Sequence, residues 1–309
     1  MHRFAGEEER SALIQEHLAA RFDLAESLYN VWLDMDRNKW TKNIPPASAT
    51  LALILDVQAC RLFRSVIEQC RRCEGYCASI LTRTLFETML GVGFLLKKDV
   101  RIIVEPILPK GAAPGTPTNK YGAKIKSKSS NRTRKHLLSR ELRASLYEAH
   151  SYFALEGREI DSLGKFPGYF HAAKRMKKGY DPQIAADFEK EIGVEWTYIL
   201  RHDTGYSGLS VKDLARVIDK SLLRWYEVAY SSQSRAVHGT DFLRHLDTND
   251  GTSLAGRALS SENEVQQNLL AATMLMLIHT TLVHENIGLG TSAETALYHL
   301  KQQFMGIAE

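Results

Sequence analysis

Two segments of this chain contain arginine, glutamate and histidine, three residue types that together can bind and cleave a phosphodiester. Arg83 and Glu87 lie one helical turn apart in an apolar stretch, so they share a helix face and can pair. A second segment, residues 230–240, carries Arg235 and His238. An imidazole can take a proton at neutral pH, a guanidinium can bind a phosphate, and a carboxylate can fix the imidazole tautomer. We therefore expect Arg83, Glu87, Arg235 and His238 to form a catalytic set.

The same residues also have a purely structural interpretation. The residues around the Arg83–Glu87 pair are apolar, which puts the pair at the edge of the core, where charged groups need partners. A buried polar staple that joins two core helices would satisfy every member and catalyse nothing. The sequence leaves both interpretations open, and with them the question of whether the chain is an enzyme.

A second candidate motif has the Arg-x(4–6)-His spacing of the HEPN ribonucleases. Arg10…His17 and Arg143…His150 match it, each with six residues between. In that motif the histidine takes the 2′-hydroxyl proton while the guanidinium stabilises the charge on phosphorus. The chain contains so many arginines and histidines that matches at this rate are expected by chance. The spacing alone therefore assigns no function, although Arg143…His150 adjoins the basic segment described next.

The basic segment spans residues 120–143 and contains a single acidic residue, Glu141. Its nine basic residues are Lys120, Lys124, Lys126, Lys128, Arg132, Arg134, Lys135, Arg140 and Arg143. The net charge of the whole chain is only +4, so the rest of the chain is mildly acidic and the positive field is local. The segment is either a solvated face or a nucleic-acid contact that neutralises phosphates, with Tyr121 and His136 available for stacking.

The elements that must position these residues are helices. Helical periodicity recurs along the chain, with a break at residues 74–75 and a helix start at Ser210, and strand patterns are too few for a sheet-based fold. We predict an all-α multi-helix bundle with an irregular basic insert at about residues 99–131. In the insert, residues 100–104 are predicted to pair with residues 121–128 as a short β-hairpin. Helix is expected to resume at about Arg132.

Composition and size predict one helical domain, residues 1–309, in the cytoplasm. No uninterrupted apolar run reaches the roughly 20 residues that span a bilayer, so we expect no membrane contact. Cysteine occurs four times, all within residues 60–77, which is too close for a secreted disulfide framework. We expect reduced, partly buried thiols, and neither a metal nor a cofactor.

The two segments resemble a family of bacterial helical proteins, the domain-of-unknown-function family DUF5677. The resemblance rests on Arg83-Thr84-Leu85-Phe86-Glu87, on residues 208–215, and on the Tyr-x-x-x-Ser-x-x-Val-His pattern that ends at His238. It covers about residues 50–245. Such proteins look distantly similar to HEPN helical bundles, which implies an all-helical fold and a role in RNA cleavage or phage defence.

From the residues and this resemblance together, we expect a HEPN-like, metal-independent endoribonuclease of a bacterial defence or toxin system. RNA or another nucleic acid is the expected partner, and a homodimer or a partner protein of a defence system is compatible with the sequence. Two alternatives stay open. One is a non-catalytic helical module that binds nucleic acid or a nucleotide through the basic segment. The other is a helical scaffold subunit of a defence complex.

Overall fold

A computed structural model describes residues 7–35, 44–104, 106–107, 118–119, 134–154, 209–230, 246–248, 254–256, 262–288 and 290–308. Helices account for most of these residues, and the fold is all-α, as the periodicity predicts. Several residues singled out above lie outside the described part of the chain: Lys120, Lys124, Lys126, Lys128, Arg132, Arg235 and His238.

Two compact units make up the chain. The first comprises Met1–Ile44, Ala49–Leu96 and Lys220–Glu309, and the second comprises Pro45–Ser48 and Lys97–Asp219. This division does not test the expectation of a single domain over residues 1–309, which stays a prediction.

The first unit contains most of the helices. In chain order its elements are α1 (Glu7–His17), α2 (Ala19–Leu33), most of α3 (Pro46–Arg71), α4 (Gly75–Leu96), α7 (Lys220–Trp225), a π-helical turn (Tyr226–Tyr230), the strands β5 (Leu246–Thr248) and β6 (Leu254–Gly256), α8 (Glu262–Ile287) and α9 (Thr291–Ala308). Helix α8 packs against α4, α2 and α9. These helices bury a continuous apolar core, which supplies most of the favourable free energy of folding.

The turn between α3 and α4 sets the start of the helix that carries Arg83 and Glu87. The backbone N–H of Glu74 donates to the carbonyl of Gln69, and that of Cys73 donates to Cys70. This is the Schellman pattern, which requires a left-handed residue, and Cys73 has φ of 59°. Gly75 follows, and a Cβ there would lie 2.7 Å from Cβ of Glu264 on α8. The break predicted at residues 74–75 is confirmed, and its glycine permits close helix packing.

Helix α4 is the one described helix that is long and apolar enough, by length and composition, to cross a membrane. The expectation from uninterrupted apolar runs missed this helix, because three threonines and the Arg83–Glu87 pair interrupt its apolar sequence. In the structure 67% of its most apolar window is buried within the chain. Core helices of globular proteins meet the same criterion, and contact with α8 accounts for the apolar character of α4.

The second unit contains the insert. Its elements are β1 (Val100–Val104), β2 (Pro106–Ile107), β3 (Thr118–Asn119), β4 (Arg134–Leu138), α5 (Arg140–Ala154) and α6 (Val211–Ile218). The strand at residues 100–104 is confirmed. It pairs in antiparallel fashion with β4, with Val100 opposite Leu138 and Val104 opposite Arg134, whereas its predicted partner, residues 121–128, lies outside the described residues.

The structure also corrects the predicted start of helix at about Arg132. Residues 134–138 form a strand, and α5 begins only at Arg140. Leu137 is 47% exposed while Leu138 is buried, which is the alternation of a strand. Adjacent leucines satisfy a helical pattern equally well, so periodicity did not distinguish the two.

Both ends of α6 are capped by hydrogen bonds. The Ser210 side chain accepts from the backbone N–H of Asp213, as predicted for an N-cap, and its hydroxyl donates to the Asp213 carboxylate. At the other end, the Lys97 ammonium donates to the carbonyls of Val217 and Ile218. A cation at this position complements the negative end of the helix dipole.

Candidate functional site

The candidate site begins with two side chains on one face of α4. Nε of Arg83 donates to Oε1 of Glu87 over 3.2 Å, so the predicted pair is present. The Arg83 side chain is 17% exposed and that of Glu87 is 43% exposed. The carboxylate therefore reaches solvent, while the guanidinium lies mostly within the protein.

Tyr230 is the third member of this site. Its hydroxyl donates to Oε1 of Glu87 over 2.5 Å, and Cζ of Arg83 lies 5.3 Å from the centre of its ring. A guanidinium at this distance gains a cation–π interaction. Tyr230 is the first residue of the segment that was expected to partner the Arg83–Glu87 pair. Sequence analysis used Tyr230 only as part of the family pattern and did not assign it to the site.

An aromatic cluster holds Tyr230 in place. The Phe86 ring on α4 lies 4.5 Å from that of Trp225 and 5.3 Å from that of Tyr230, and Tyr226 stacks on Tyr230 at 4.9 Å. Phe86, Trp225 and Tyr230 are buried. Aromatic packing of this kind is worth about 0.5–1.5 kcal/mol per pair beyond the burial of area, so the cluster fixes the ring that carries the hydroxyl.

Burial and charge both act on the ionisable groups of the site. Burial of Tyr230, and then the adjacent Glu87 carboxylate, raises the pKa of the phenol to about 12. The phenol is therefore a hydrogen-bond donor at neutral pH. Burial disfavours the charged form of Arg83, but contacts with Tyr230 and Glu87 outweigh this effect and raise the pKa of the guanidinium.

Two N–H donors of this cluster are buried without a hydrogen-bond partner in the described part of the chain. They are Nη1 of Arg83 and Nε1 of Trp225. A buried donor without a partner costs about 1–3 kcal/mol.

The remaining members of the predicted catalytic set, Arg235 and His238, lie outside the described residues. The structure thus brings together Arg83, Glu87 and Tyr230, and the predicted positions of Arg235 and His238 beside them stay predictions. The described members offer a carboxylate acceptor, a cation and a neutral phenol.

Arg143, assigned above to both the HEPN-type motif and the basic segment, is fully buried. Its Nη2 donates to the carbonyl of Lys97 over 2.6 Å and its Nε donates to that of Ser139 over 3.3 Å. Burial, and then the nearby Arg140, lowers the pKa of its guanidinium to about 10. Arg143 thus connects backbone segments within the second unit and offers no surface cation to a phosphate. Its assignment to the nucleic-acid-binding residues stays a prediction, which this burial disfavours.

Topology adds one fact about the rest of the basic segment. Arg134 and Lys135 lie on β4, which pairs with β1, and Lys120, Lys124, Lys126, Lys128 and Arg132 all fall in the connection between these two strands. Arg140 begins α5 directly after β4. The five cations between the strands therefore lie in one excursion, the connection from β1 to β4. The pairing of these two strands joins the ends of this excursion. For the Arg10…His17 match, the structure shows Nδ1 of His17 at 3.4 Å from Glu262.

A second polar cluster, which sequence analysis missed, lies in the core of the first unit. Nε2 of His279 lies 2.7 Å from Oδ1 of Asp56, and Nε1 of Trp32 donates to both Asp56 oxygens over 3.0 and 3.1 Å. Asp56 and His279 have side chains only 1% exposed. The cluster joins α2, α3 and α8, and its depth excludes a substrate. It is a buried polar link between helices, although Nδ1 of His279 has no hydrogen-bond partner in the described part of the chain.

The cysteines are free thiols, and three of the four are buried. Burial, and then the neighbouring Cys73, raises the pKa of the Cys70 thiol to about 12, which keeps it protonated and unreactive. Among the described residues, no group of three or more histidine, cysteine, aspartate and glutamate side chains is arranged to hold a metal ion.

Comparison with known proteins gives one match. A family model described as a family of unknown function, DUF5677, matches residues 50–253, about two thirds of the chain. This range includes Arg83, Glu87 and Tyr230 and confirms the resemblance drawn from the two motif segments. No curated protein and no solved structure matches the chain.

Proposed function

We propose that this chain, which belongs to the DUF5677 family of unknown function, cleaves RNA without a metal ion. Its catalytic set would be Arg83, Glu87, Arg235 and His238. The observation that carries the proposal is the hydrogen bond from Tyr230 to Glu87. It joins α4 to Tyr230, the first residue of the segment that carries Arg235 and His238.

The short chain between Tyr230 and His238 permits the imidazole to approach the Glu87 carboxylate. His238 follows Tyr230 by eight residues, so their Cα atoms lie no more than about 29 Å apart even in a fully extended chain. The bond between Tyr230 and Glu87 is therefore compatible with a contact between His238 and the carboxylate. A carboxylate that accepts one ring N–H of a histidine leaves the other nitrogen as a base.

The proposed reaction is transesterification through the 2′-hydroxyl. The imidazole of His238 takes the 2′-hydroxyl proton, the 2′-oxygen bonds to phosphorus, and the bond from phosphorus to the 5′-oxygen breaks. The leaving oxygen takes a proton from water, and the products carry a 2′,3′-cyclic phosphate and a 5′-hydroxyl. Arg83 or Arg235 stabilises the charge that develops on the phosphoryl oxygens.

The test is a set of cleavage time courses in EDTA with a fluorescent single-stranded RNA. Wild type is expected to cleave, and His238→Ala to lose about 100- to 10,000-fold of the rate, the usual contribution of a general base. Arg83→Ala is expected to lose about 100-fold or more. The matched controls are His299→Ala on α9 and Arg64→Ala on α3, which change exposed residues remote in sequence from the set. Full cleavage by His238→Ala would refute the proposal.

The basic segment supports a second function, binding of nucleic acid without cleavage. The specific observation is the β1–β4 pairing, because it makes the five cations between the strands part of one excursion. A polyanion bound there would release counterions, so its affinity would fall steeply with salt concentration.

Neutralisation of the excursion tests this binding function. Replacement of Lys120, Lys124, Lys126 and Lys128 by Gln should reduce the slope of log affinity against log salt, by up to about 0.7 per lost contact for single strands. A control with Lys98, Lys220 and Lys301 replaced by Gln, all exposed in the structure, should keep the wild-type slope. An unchanged slope in the excursion variant would exclude this binding mode.

The setting that we propose is a bacterial defence or toxin system, on the ground of the resemblance to HEPN helical bundles. The alternative of a scaffold subunit predicts neither cleavage nor salt-dependent binding. The two assays above therefore distinguish all three functions.

A further inference from the structure

The two hydrogen bonds that the Glu87 carboxylate accepts from described residues end on one oxygen. The Tyr230 hydroxyl donates to Oε1 over 2.5 Å, and Nε of Arg83 donates to the same atom over 3.2 Å. Tight pairs of arginine and carboxylate usually form two parallel bonds of about 2.7–2.9 Å, one to each oxygen. The bond from Arg83 is single and longer, so the guanidinium holds this carboxylate loosely.

Both donors are kept in place by contacts that do not involve Glu87. The Tyr230 ring packs on Phe86 and stacks on Tyr226, with ring centres 5.3 and 4.9 Å apart. Cζ of Arg83 lies 5.3 Å from the centre of the Tyr230 ring, a distance at which a guanidinium gains a cation–π interaction. Nε of Arg83 and the Tyr230 hydroxyl therefore point at one position whether or not a carboxylate oxygen occupies it.

The chemistry of this position suits an oxyanion. Arg83 supplies a positive charge and an N–H donor. Burial is the main reason why the pKa of Tyr230 is raised to about 12, and burial persists when the carboxylate leaves, so the hydroxyl remains a donor at neutral pH. Fixed donors that converge on one point are the arrangement that stabilises a phosphoryl oxygen. We call the position of Oε1, between Nε of Arg83 and the Tyr230 hydroxyl, the oxyanion seat.

We infer that Glu87 fills the oxyanion seat as a built-in competitor of a phosphate ligand. The ligand class is an inorganic phosphate, a phosphate monoester or a phosphodiester, one oxygen of which replaces Oε1 of Glu87. The displaced carboxylate turns towards solvent, to which 43% of the Glu87 side chain is already exposed. The inference goes beyond the proposed ribonuclease function, because it assigns a binding site that needs no cleavage chemistry. The role proposed for Glu87 in cleavage stays open, since the displaced carboxylate remains on α4.

The exchange of carboxylate for phosphate has opposing contributions. The ligand gains the two donors that Glu87 loses, and a phosphate monoester carries a charge of about −1.5 to −2 on three oxygens. Against this, a free anion loses translational and rotational freedom on binding, whereas the carboxylate is tethered beside the seat. Removal of the competitor should therefore strengthen phosphate binding although it adds no contact. An ordinary structural ion pair predicts no such gain.

The experiment measures the affinity of the full chain for inorganic phosphate and for the dinucleotide UpU by isothermal titration calorimetry, at an ionic strength held constant with chloride. Glu87→Gln keeps the size of the side chain and removes its charge. It should bind inorganic phosphate about 10-fold more tightly than wild type, because the anion no longer breaks a hydrogen bond from Tyr230 to a charged group. A similar gain for UpU identifies the RNA backbone as a source of the ligand, whereas a gain for inorganic phosphate alone identifies a free phosphate or monoester.

Asp213→Asn is the matched control on α6. The Asp213 carboxylate also accepts from an arginine and a hydroxyl, but Arg216 donates to one oxygen and Ser210 donates to the other. No single position is shared by two donors there. The control changes the net charge by the same amount as Glu87→Gln and should bind phosphate with wild-type affinity. An equal gain in both variants would overturn the inference, because net charge alone would then account for it.

Double variants test the two donors of the seat, with the folded fraction of each checked by circular dichroism. In the Glu87→Gln background, Tyr230→Phe keeps the ring and its packing but removes the hydroxyl, and should return the affinity to within about threefold of wild type. Arg83→Gln in the same background should abolish measurable binding. Absence of a gain in Glu87→Gln, or a gain that survives the loss of the hydroxyl, would overturn the inference. A chain that shows this gain but leaves RNA intact would refute only the proposed function.

Discussion

Tyr230 and Glu87, which lie 143 residues apart in sequence, are joined by a hydrogen bond of 2.5 Å from the phenol hydroxyl to Oε1 of the carboxylate. Arg83 donates to the same oxygen and also lies over the Tyr230 ring. The contact connects α4 to the segment that begins the second motif of the chain. The proposed site is built outward from this contact.

The first prediction concerns stability at alkaline pH. The pKa of Tyr230 is raised from an ordinary value of 10.0 to about 12, because burial and the Glu87 carboxylate favour the neutral phenol in the folded chain. A raised pKa contributes stability that is complete below pH 10.0 and is lost as the pH rises through about 12. Urea unfolding from pH 9 to 12 should therefore show a smaller loss of stability in Tyr230→Phe than in wild type. Parallel curves would contradict the contact.

The second prediction concerns the buried cluster of Asp56, Trp32 and His279. His279→Ala leaves the Asp56 carboxylate buried with one partner fewer, which should cost about 3–5 kcal/mol of unfolding free energy. The double variant Asp56→Leu/His279→Leu removes the charge as well as its partner. It should be more stable than His279→Ala, as measured by denaturant unfolding. A double variant that is less stable than His279→Ala would show instead that the polar contacts of the cluster stabilise the core more than two leucine side chains do.

The third prediction concerns the packing of α4 on α8. Ala at position 75 would place its Cβ 2.7 Å from Cβ of Glu264, an atom fixed close to the α8 backbone. The helices must separate, so Gly75→Ala should lower the unfolding free energy by about 1–3 kcal/mol. Gly306→Ala on α9 is the matched control, because a Cβ there meets nothing within 4 Å. Equal stability of the two variants would show that α4 and α8 adjust to the added methyl group.

The sequence predicted the helical class, the break at residues 74–75, the Ser210 cap and the Arg83–Glu87 pair, because each of these depends on interactions within a few residues. It did not predict that β4 is the partner of β1, since register between strands depends on contacts 30 or more residues apart. Tyr230 was missed as a site residue for a related reason. Its role depends on a π-helical turn that shifts the face it presents, and no residue type marks such a turn.

The cluster of Asp56 and His279 shows a further limit of sequence reasoning. Each residue stands alone in an apolar helical stretch, and they lie 223 residues apart. One signal was available, because an isolated acidic residue in a helix as apolar as the start of α3 needs a buried partner. That signal predicts that a partner exists, and only packing of the helices identifies it as His279.

The fourth prediction concerns Arg143. Arg143→Met should lower the unfolding free energy by about 2–3 kcal/mol, because it removes the donor of the carbonyls of Lys97 and Ser139 from a buried position. Measured at equal folded fraction, its affinity for single-stranded RNA and the salt dependence of that affinity should equal those of wild type. A reduced salt slope in Arg143→Met would mean that this guanidinium contacts phosphate.

The most direct test of the central claim is the chemistry of the cleaved ends. We predict that the wild-type chain, purified in parallel with His238→Ala and assayed in EDTA, leaves a 2′,3′-cyclic phosphate on one fragment and a 5′-hydroxyl on the other. Mass spectrometry of the fragments identifies both groups. RNA with a 2′-deoxy substitution at the cleaved position should resist cleavage. Fragments with a 5′-phosphate, or the same cyclic ends at an unreduced rate from His238→Ala, would contradict the account.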